Sequence, residues 1–451
     1  MDEVVAEVRH ANAIARQHQA RRRCKRRQSM RRIPVEQSGN YAIQGGKDKR
    51  ARAHRWGERW EAEERVSAPH AATQLLEPSP ATPLKPKPKA EFEIPSLDGM
   101  RAVAFLIVFI AHAGLGEWFP GGFGVTVFFF LSGYLITTLL RMELTQQGSV
   151  SLRAFYLRRV LRILPPFYTV LTFAVLLALA GALPGSLKLR PVLAQYLHFA
   201  NYWIIARGPE GQAAGTGVYW SLAVEEHFYL LFPLIFVLSQ RWFPGRRRSQ
   251  ALLFYALCGV ALLWRLALVF DLGASVDRTY MASDTRMDSI LVGCALAVGA
   301  NPVLDRPALS DKTWRYWLLP LGIASLLLSF VIRAPWFRES LRYTIQGLAL
   351  TPIFVVAIRS PAFGPFKALN WKWVKYIGLL SYSLYLVHHV VLFGLESKWP
   401  TLHPVARGGL ALLIAIAIAE VIRRSIERPC ARLRKRLARA TAPIAVVAGR
   451  T

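Results

Sequence analysis

Cysteine is scarce in this sequence, and its few thiols are not spaced for a shared role. The four cysteines, Cys24, Cys258, Cys294 and Cys430, lie far apart, with no CxxC pair and no histidine at metal-ligand spacing. The spacing therefore predicts neither a disulfide framework nor a zinc or other metal site. Residues 1–93 also lack an apolar stretch long enough for a secretory signal peptide, so we expect the first membrane helix to direct insertion.

Acidic residues are few as well. There are 28 Asp and Glu against 57 Lys and Arg, which leaves a formal net charge of +29. Most of this surplus sits in the tails and in short loops between apolar runs, where it indicates membrane orientation and no nucleic-acid partner. Hydrophobic residues make up 53% of the chain, a share that is rare in soluble proteins that also carry many charges.

Apolar runs of about 20 residues, the length that crosses a bilayer, begin at Met100. We expect an all-α fold, a polytopic transmembrane bundle of about ten helices with a disordered basic N-terminal arm. Residues Val192 to Ala206 are expected to form an interfacial or re-entrant piece. The ten runs lie near 100–118, 121–140, 165–184, 219–239, 251–271, 286–301, 315–333, 341–358, 375–395 and 405–423, of which the sixth is the shortest.

The changes in composition predict three regions. These are a disordered basic extension (1–93), a transmembrane domain (94–433) and a basic C-terminal tail (434–451). An alternative for the extension is that translation starts later, for instance at Met30. Lys and Arg are concentrated in the loops that follow even-numbered helices, so both termini and the loop Arg141 to Leu164 are predicted to be cytoplasmic.

Several ionisable side chains fall inside the apolar runs, where each costs roughly 2.5 to 3.5 kcal/mol on insertion scales. At about 1.5 Å per residue, His112, Glu225, Arg265 and His388 reach nearly one depth in the outer half of the membrane, with Tyr385 just below. A neutral imidazole there can act as a general base. Two structural alternatives stay open: His112 is a packed or hydrogen-bonded structural residue, or one of the adjacent acids Glu225 and Glu226 pairs with an arginine of another helix, such as Arg265.

A second polar layer is predicted at the inner surface. Arg101 lies near the inner end of the first helix, and the segment FYLRRVLRILPP carries Arg158, Arg159 and Arg162. Arginines three and four residues apart share one helix face and can clamp phosphate oxygens. The alternative is ordinary positive-inside flanking.

The sixth run begins with an acid–base–acid pattern, Asp284, Arg286 and Asp288. We expect these side chains to pair with one another, either as a local salt-bridge cap or as part of a substrate site. Ser132 is not expected to be a covalent nucleophile, because its flanks do not form a GxSxG elbow.

Taken together, these segments resemble acyltransferase family 3, the polytopic bacterial enzymes that O-acylate cell-surface and secreted carbohydrates. The resemblance covers about Ile94 to Leu433, and the motifs occur in the family's order. The matching pieces are SLDGMRAVAFLIVFIAH, GGFGVTVFFFLSGYLIT, FYLRRVLRILPP, WSLAVEEHFYLLFP, DTRMDSILVGCALA, IGLLSYSLYLVHH and IERPCARL.

The resemblance implies an acyltransferase for groups other than amino-acyl groups, embedded in a bacterial-type inner membrane. It implies no permanently bound cofactor, acyl-CoA (expected to be acetyl-CoA) as the donor, and a carbohydrate or glycolipid acceptor. It marks His112 as the catalytic candidate, Glu225 as a position tied to activity, and the pair Arg159 and Arg162 as a CoA site. Thr126 departs from the family pattern, which often has Asp there.

We therefore predict direct acyl transfer without a covalent enzyme intermediate. His112 removes the proton of the acceptor hydroxyl, Glu225 orients the imidazole, and Arg101, Arg159 and Arg162 hold the CoA phosphates. Arg265, Arg286, Asp288, Tyr385 and His388 complete a polar layer with a substrate-binding or a structural role. The rivals are a transporter or flippase for a polar substrate, whose buried charges line a pathway, and a membrane scaffold or sensor that works through the basic arm.

Overall fold

The computed structural model describes residues 93–117 and 119–440, and this part of the chain consists of helices and loops without strands. The predicted N-terminal extension lies outside the described residues except for Glu93. The helices are, in chain order, α1 (Leu97–Leu115), α2 (Gly121–Gln147), α3 (Leu152–Leu179), α4 (Leu189–Tyr196), α5 (Ala200–Arg207), α6 (Trp220–Trp242), α7 (Arg247–Phe270), α8 (Val276–Met281), α9 (Ser283–Gly299), α10 (Asp311–Val331), α11 (Pro335–Glu339), α12 (Leu341–Arg359), α13 (Phe366–Leu369), α14 (Lys372–Lys398), α15 (Pro404–Ile422) and α16 (Arg428–Ala440). The last helix runs across the predicted start of the tail at residue 434.

Nine helical segments of the described residues are long and apolar enough to cross a membrane. They include α1, α2, α3, α6, α7, α10, α12 and α14, and the continuous segment from α15 into α16. This confirms the polytopic helical bundle. The predicted sixth span corresponds to α9, which has 17 residues and is buried on almost every side. The segment expected at the interface forms the two short helices α4 and α5.

The helix α9 lies at the centre of the bundle, packed against α2, α7 and α12. Two glycines make its contact with α2 possible. A Cβ atom on Gly133 would collide with the carbonyl oxygen of Ile290, and one on Gly293 would collide with the carbonyl oxygen of Phe130. The two backbones therefore touch, as small residues allow in membrane helices.

A similar approach joins α1 to α14, where a Cβ atom on Gly378 would collide with the backbone of Asp98. Further along, α1 loosens into a π turn over Ala111–Leu115, in which Gly114 has a φ of 100°. That left-handed backbone conformation suits glycine and ends the helix. The contact and the turn together fix where the side chain of His112 meets α14.

The helix α6 begins inside the bundle and not at its surface. Gly215, just before it, packs against the backbone of Val390 in α14. The hydroxyl of Tyr219 donates to the carbonyl of Leu386 at 2.8 Å. The first turn of α6 is consequently level with the histidines of α14.

The loop after α9 is anchored by Asp305. Its carboxylate accepts two hydrogen bonds from Arg141 at 2.7 and 2.9 Å, one from Arg247 at 2.5 Å, and one from the backbone N–H of Asn301 at 2.8 Å. Burial alone would raise the pKa of the Asp305 carboxyl. These hydrogen bonds outweigh the effect of burial and lower that pKa. The carboxylate therefore stays ionised and ties α2 and α7 to the end of α9.

Candidate active site

His112 and His388 face each other in the π turn of α1 and the middle of α14. Nδ1 of His112 lies 3.1 Å from Nε2 of His388, and the nearly parallel rings have centroids 5.3 Å apart. His389 lies on the other side, with its ring centroid 4.5 Å from that of His112. Phe105 and Phe109 pack against His388, which is fully buried. The structure thus brings together two of the four residues assigned to the predicted outer layer.

The hydrogen bonds of this pair assign its protons. Nδ1 of His388 is 2.8 Å from the carbonyl oxygen of Tyr385, and a carbonyl can only accept, so this nitrogen carries the proton. In the neutral ring Nε2 of His388 is then an acceptor. Nδ1 of His112 donates to it, which leaves the lone pair of His112 on Nε2. Within the described ranges no group of His, Cys, Asp and Glu is arranged to hold a metal ion.

His112 also forms part of the wall of a large opening that we call the histidine cavity. This cavity has a volume of about 590 Å³ and is bordered by the first turn of α2, by α8 and by the region from α10 to α12. Its polar and charged lining residues include Glu117, Tyr280, Arg333, Arg338, Glu339, Arg342, Tyr343 and Gln346. This volume lies in the range of about 300 to 1,000 Å³ that is typical of ligand pockets.

A second space, the central cavity, lies deeper between α1, α2, α3, α6 and α14 and holds about 70 Å³. Its wall contains Arg101, Arg159 and Arg162, the three arginines predicted to bind phosphate, and also Glu225 and Glu226. The carboxylate of Glu225 accepts from the hydroxyl of Ser132 at 2.9 Å and from that of Tyr229 at 3.0 Å. The guanidinium of Arg159 lies 5.3 Å from the ring centroid of Tyr229.

The position of Glu225 corrects the sequence-based grouping. We expected it beside His112 in the outer layer, where it would orient the imidazole. Instead it shares the central cavity with Arg101 and Arg159, while His388 is the hydrogen-bond partner of His112. The physical reason is the start of α6 inside the bundle, because a helix that begins at depth carries its sixth residue deeper still.

A third space, the C-terminal cavity, holds about 260 Å³ and lies between α16 and the inner part of the bundle. Arg101, Arg162, Ser381 and Tyr382 line both this cavity and the central one, so the two are adjacent. The C-terminal cavity adds Arg423, Glu427, Arg428 and Arg434. Arg158, which the sequence placed in the same basic group, pairs with Glu143.

Arg265 and Asp288 form a buried ion pair away from the three cavities. Nη2 of Arg265 lies 3.0 Å from Oδ2 of Asp288, and both side chains have an exposed fraction of 0%. The guanidinium also donates to the carbonyl of Ser340 at 2.6 Å and to the hydroxyl of Thr344 at 2.7 Å. Arg265 therefore does not pair with Glu225, and its saturated contacts favour a structural role.

The expected cluster of Asp284, Arg286 and Asp288 does not form. Asp284 pairs with Arg278, and Asp288 binds Arg265. On a helix, residues two apart point in different directions, so Arg286 does not share a face with the two acids. The prediction of an internally paired cluster was wrong.

Arg286 is left in an aromatic box between the central and histidine cavities. Its guanidinium carbon lies 4.0 Å from the ring centroid of Tyr343 and 5.5 Å from that of Phe129, which line the histidine and the central cavity, respectively. It donates one hydrogen bond, to Thr126 at 3.1 Å. Nε and Nη1 have no partner among the described residues.

Tyr385 and Phe128 separate the central cavity from the histidine pair. Both line the central cavity, and their rings meet edge to face with centroids 6.0 Å apart. The Tyr385 hydroxyl lies 2.6 Å from the hydroxyl of Ser221, and its ring centroid is 5.5 Å from that of His388. These two side chains form the part of the central cavity wall beside the histidine pair, and we call them the aromatic partition.

The residues that were not predicted as site residues include Tyr229, Ser132 and Tyr382 in the cavity walls, and His389, whose ring packs against His112. Tyr229 follows Glu225 by one helical turn, and His389 directly follows His388, so spacing alone could have indicated both. Ser132 gave no such signal, because a serine hydroxyl in an apolar helix is most often bonded to its own backbone, and Tyr382 gave none because its hydroxyl donates to Ile163 of a distant helix. Their roles follow only from the packing of α2 and α14 around the cavities.

Comparison with known proteins gives a family match over most of the described chain. A family model with the description "Acyltransferase domain" matches residues 94–424. No solved structure matches the chain.

Curated relatives also match this part of the chain. Peptidoglycan O-acetyltransferase OatA of Listeria monocytogenes is 29% identical over 74% of this chain and 55% of its own length. O-acetyltransferase OatA of Staphylococcus aureus is 32% identical over 74% of this chain and 57% of its own length. A putative O-acetyltransferase of the same species is 30% identical, with the same coverage. The chain thus spans little more than half the length of the relatives it matches.

Proposed function

Because this chain belongs to the acyltransferase family that matches residues 94–424, we propose that it transfers an acyl group, acetyl in the first instance, from acyl-CoA to a carbohydrate hydroxyl. The observation that carries this proposal is His112, a residue in the wall of a cavity of about 590 Å³, whose Nε2 is left without a proton by the hydrogen bond between Nδ1 and His388. The names of two relatives support an acetyl group, and one of these names includes peptidoglycan. Glycan strands of that kind are the acceptor to test first.

In the proposed reaction Nε2 of His112 removes the proton of the acceptor hydroxyl as that oxygen attacks the thioester carbonyl. The new carbon–oxygen ester bond forms, and the carbon–sulfur bond breaks. The proton passes from His112 to the departing sulfur, which gives the O-acyl sugar and free CoA. His388 keeps the reactive tautomer, because its Nε2 accepts the Nδ1 proton of His112 and stabilises the imidazolium that forms.

The acyl-CoA donor is proposed to enter the bundle from the end opposite to the histidine cavity. Arg101 and Arg162 line both the central and the C-terminal cavity, and Arg159 lines the central one. These cations would hold the diphosphate of CoA, while the pantetheine arm points inward. Glu225, beside Ser132 and Tyr229, is then placed to accept an amide N–H of that arm, since each carboxylate oxygen can accept a second bond.

The thioester must pass Phe128 and Tyr385 to reach His112. Rotation of Tyr385 would break its contacts with Ser221 and with the carbonyl of Val218, 2.6 and 3.1 Å away. We propose that the arriving pantetheine arm replaces these contacts and opens the partition. The cavity that holds the donor faces the cytoplasm in this proposal, and the histidine cavity faces outward.

The test uses purified protein, acetyl-CoA, a peptidoglycan fragment and a thiol reagent that reports free CoA. Acceptor-dependent thiol release supports the transferase. We expect His112→Ala to lower the rate by about 10² to 10⁴ without weakening the binding of acetyl-CoA. Arg162→Ala should show the reverse, a binding defect, since a charge-assisted hydrogen bond contributes about 1.5 to 3 kcal/mol.

The matched control is His198→Asn. This histidine lies outside the three cavities and has a φ of 58°, a conformation that asparagine tolerates, so full activity is expected. An active His112→Ala enzyme would leave His112 a packed structural residue. Thiol release that does not depend on any saccharide would disprove the carbohydrate acceptor.

A further inference from the structure

The helix α16 places a second group of arginines around the C-terminal cavity. Arg428 and Arg434 of this helix, together with Arg423, face Arg101 and Arg162 across a space of about 260 Å³. Glu427 is the acidic residue in that lining. Five guanidinium groups around one carboxylate leave the cavity strongly positive.

Among the charged residues of the lining, Arg423, Glu427 and Arg434 already interact with other residues. Arg423 donates two hydrogen bonds of 2.6 Å to Glu420, and Glu427 accepts from the hydroxyl of Ser383 at 2.5 Å. By contrast, Arg101, Arg162 and Arg428 form no hydrogen bond or ion pair with another described residue. Several like charges that converge on a single carboxylate raise the energy of the fold, and an anion between them lowers it.

The order of groups along CoA indicates which anion fits. The thioester has to be deepest, near the aromatic partition, and the pantetheine arm follows in the central cavity. The diphosphate then reaches Arg101 and Arg162, which line both cavities. The adenosine, which carries the 3′-phosphate, would then occupy the C-terminal cavity.

We propose that Arg428 and Arg434 of α16 bind the 3′-phosphate of the acyl donor and so select CoA over donors that lack it. The inference rests on the proposed function. It assigns a binding site to a helix that lies beyond the family match, which ends at residue 424. Arginine suits the task because its planar fork can bind two phosphate oxygens at once.

The experiment compares two ligands and three variants by calorimetric titration of the protein in nanodiscs of uncharged lipid. The ligands are acetyl-CoA and acetyl-3′-dephospho-CoA, which lacks only this phosphate. Wild-type protein should bind acetyl-CoA about tenfold more tightly or better. Arg428→Ala and Arg434→Ala should each weaken acetyl-CoA binding, leave the dephospho ligand almost unaffected, and so reduce the preference. Arg428→Lys should keep part of the preference for acetyl-CoA, because the positive charge remains but the planar guanidinium fork is lost.

The control variant is Arg432→Ala on the same helix, since Arg432 is exposed and does not line the cavity. Its ligand preference should equal that of the wild type. The proposal would be overturned if the Arg428 and Arg434 variants bound both ligands more weakly by the same factor. It would also be overturned if wild-type protein bound the two ligands with equal affinity. If neither ligand binds the wild type, the donor assignment itself fails.

A phosphate of an anionic lipid could reach the same arginines. The second arm therefore repeats the titrations in nanodiscs that contain phosphatidylglycerol. A 3′-phosphate preference that persists in both membranes supports the CoA site. Arginine variants that change only lipid binding, with no change in the preference, would assign the cavity to the membrane and overturn the proposal.

Discussion

At the scale of single residues, the proposed role of His112 as a general base depends on which ring nitrogen is free. A backbone carbonyl of α14 fixes the proton of His388 on Nδ1, and His388 in turn fixes the proton of His112. The pair resembles the histidine and carboxylate of a hydrolase in geometry, but the second member is neutral. A neutral partner avoids the cost of burying a carboxylate among Phe105 and Phe109.

This arrangement predicts that His388 acts through the tautomer of His112. His388→Gln keeps an acceptor near the Nδ1 proton and should retain part of the activity, whereas His388→Leu should lose about tenfold or more in kcat with little change in KM. Nitrogen NMR of ¹⁵N-histidine protein should show a proton-free Nε2 for His112 in the wild type. The His388→Leu variant should show a mixture of His112 tautomers. An unchanged spectrum would contradict the prediction that His388 fixes the tautomer of His112.

Arg286 marks the limit of sequence reasoning at this scale. Its charge inside an apolar run correctly indicated a buried polar group, but its alternation with Asp284 and Asp288 suggested partners that the helix geometry forbids. Aromatic faces from α8 and α12 surround it instead. A favourable cation–π environment depends on residues distant in sequence, so no local spacing can indicate it.

At the scale of helices, hydropathy was enough to place the apolar segments. The predicted spans near 121–140, 251–271 and 341–358 lie within α2, α7 and α12 or end within one residue of them. Depth was harder to predict. Counting residues from an assumed surface placed Glu225 level with His112, but Gly215 and Tyr219 anchor the start of α6 beside α14. The depth of α6, and therefore of Glu225, is set by these long-range contacts. A count of residues along the sequence contains no information about them.

The close packing of α9 on α2 gives a prediction for the bundle itself. Gly293→Ala would push a methyl group against the carbonyl of Phe130 and should destabilise the protein by about 1 to 3 kcal/mol through overpacking. Gly259→Ala in α7 is the matched control, because a Cβ atom there meets nothing within 4 Å. That change should be neutral or stabilising by up to about 1 kcal/mol. Thermal unfolding in detergent measures both; equal midpoints would contradict the backbone contact.

At the scale of the whole molecule, the distribution of Lys and Arg predicts which side each cavity faces. In a background without native cysteines, Val150→Cys between α2 and α3 should resist an impermeant maleimide applied to spheroplasts. Asp271→Cys, after α7, should react. Loops rich in Lys and Arg stay in the cytoplasm, and the loop after α7 lies on the opposite side in the predicted topology. Efficient labelling at residue 150 would reverse the orientation and place the donor cavity outside.

The aromatic partition of Phe128 and Tyr385 has an electrical consequence. In the proposed orientation, the cavities on its two sides communicate with different compartments, and a continuous water path between them would conduct protons. Each charge that crosses a membrane at 100 mV dissipates about 2.3 kcal/mol. In this proposal two side chains from α2 and α14 close the path, so the protein would receive water-soluble groups from both compartments while the bilayer around it keeps its voltage.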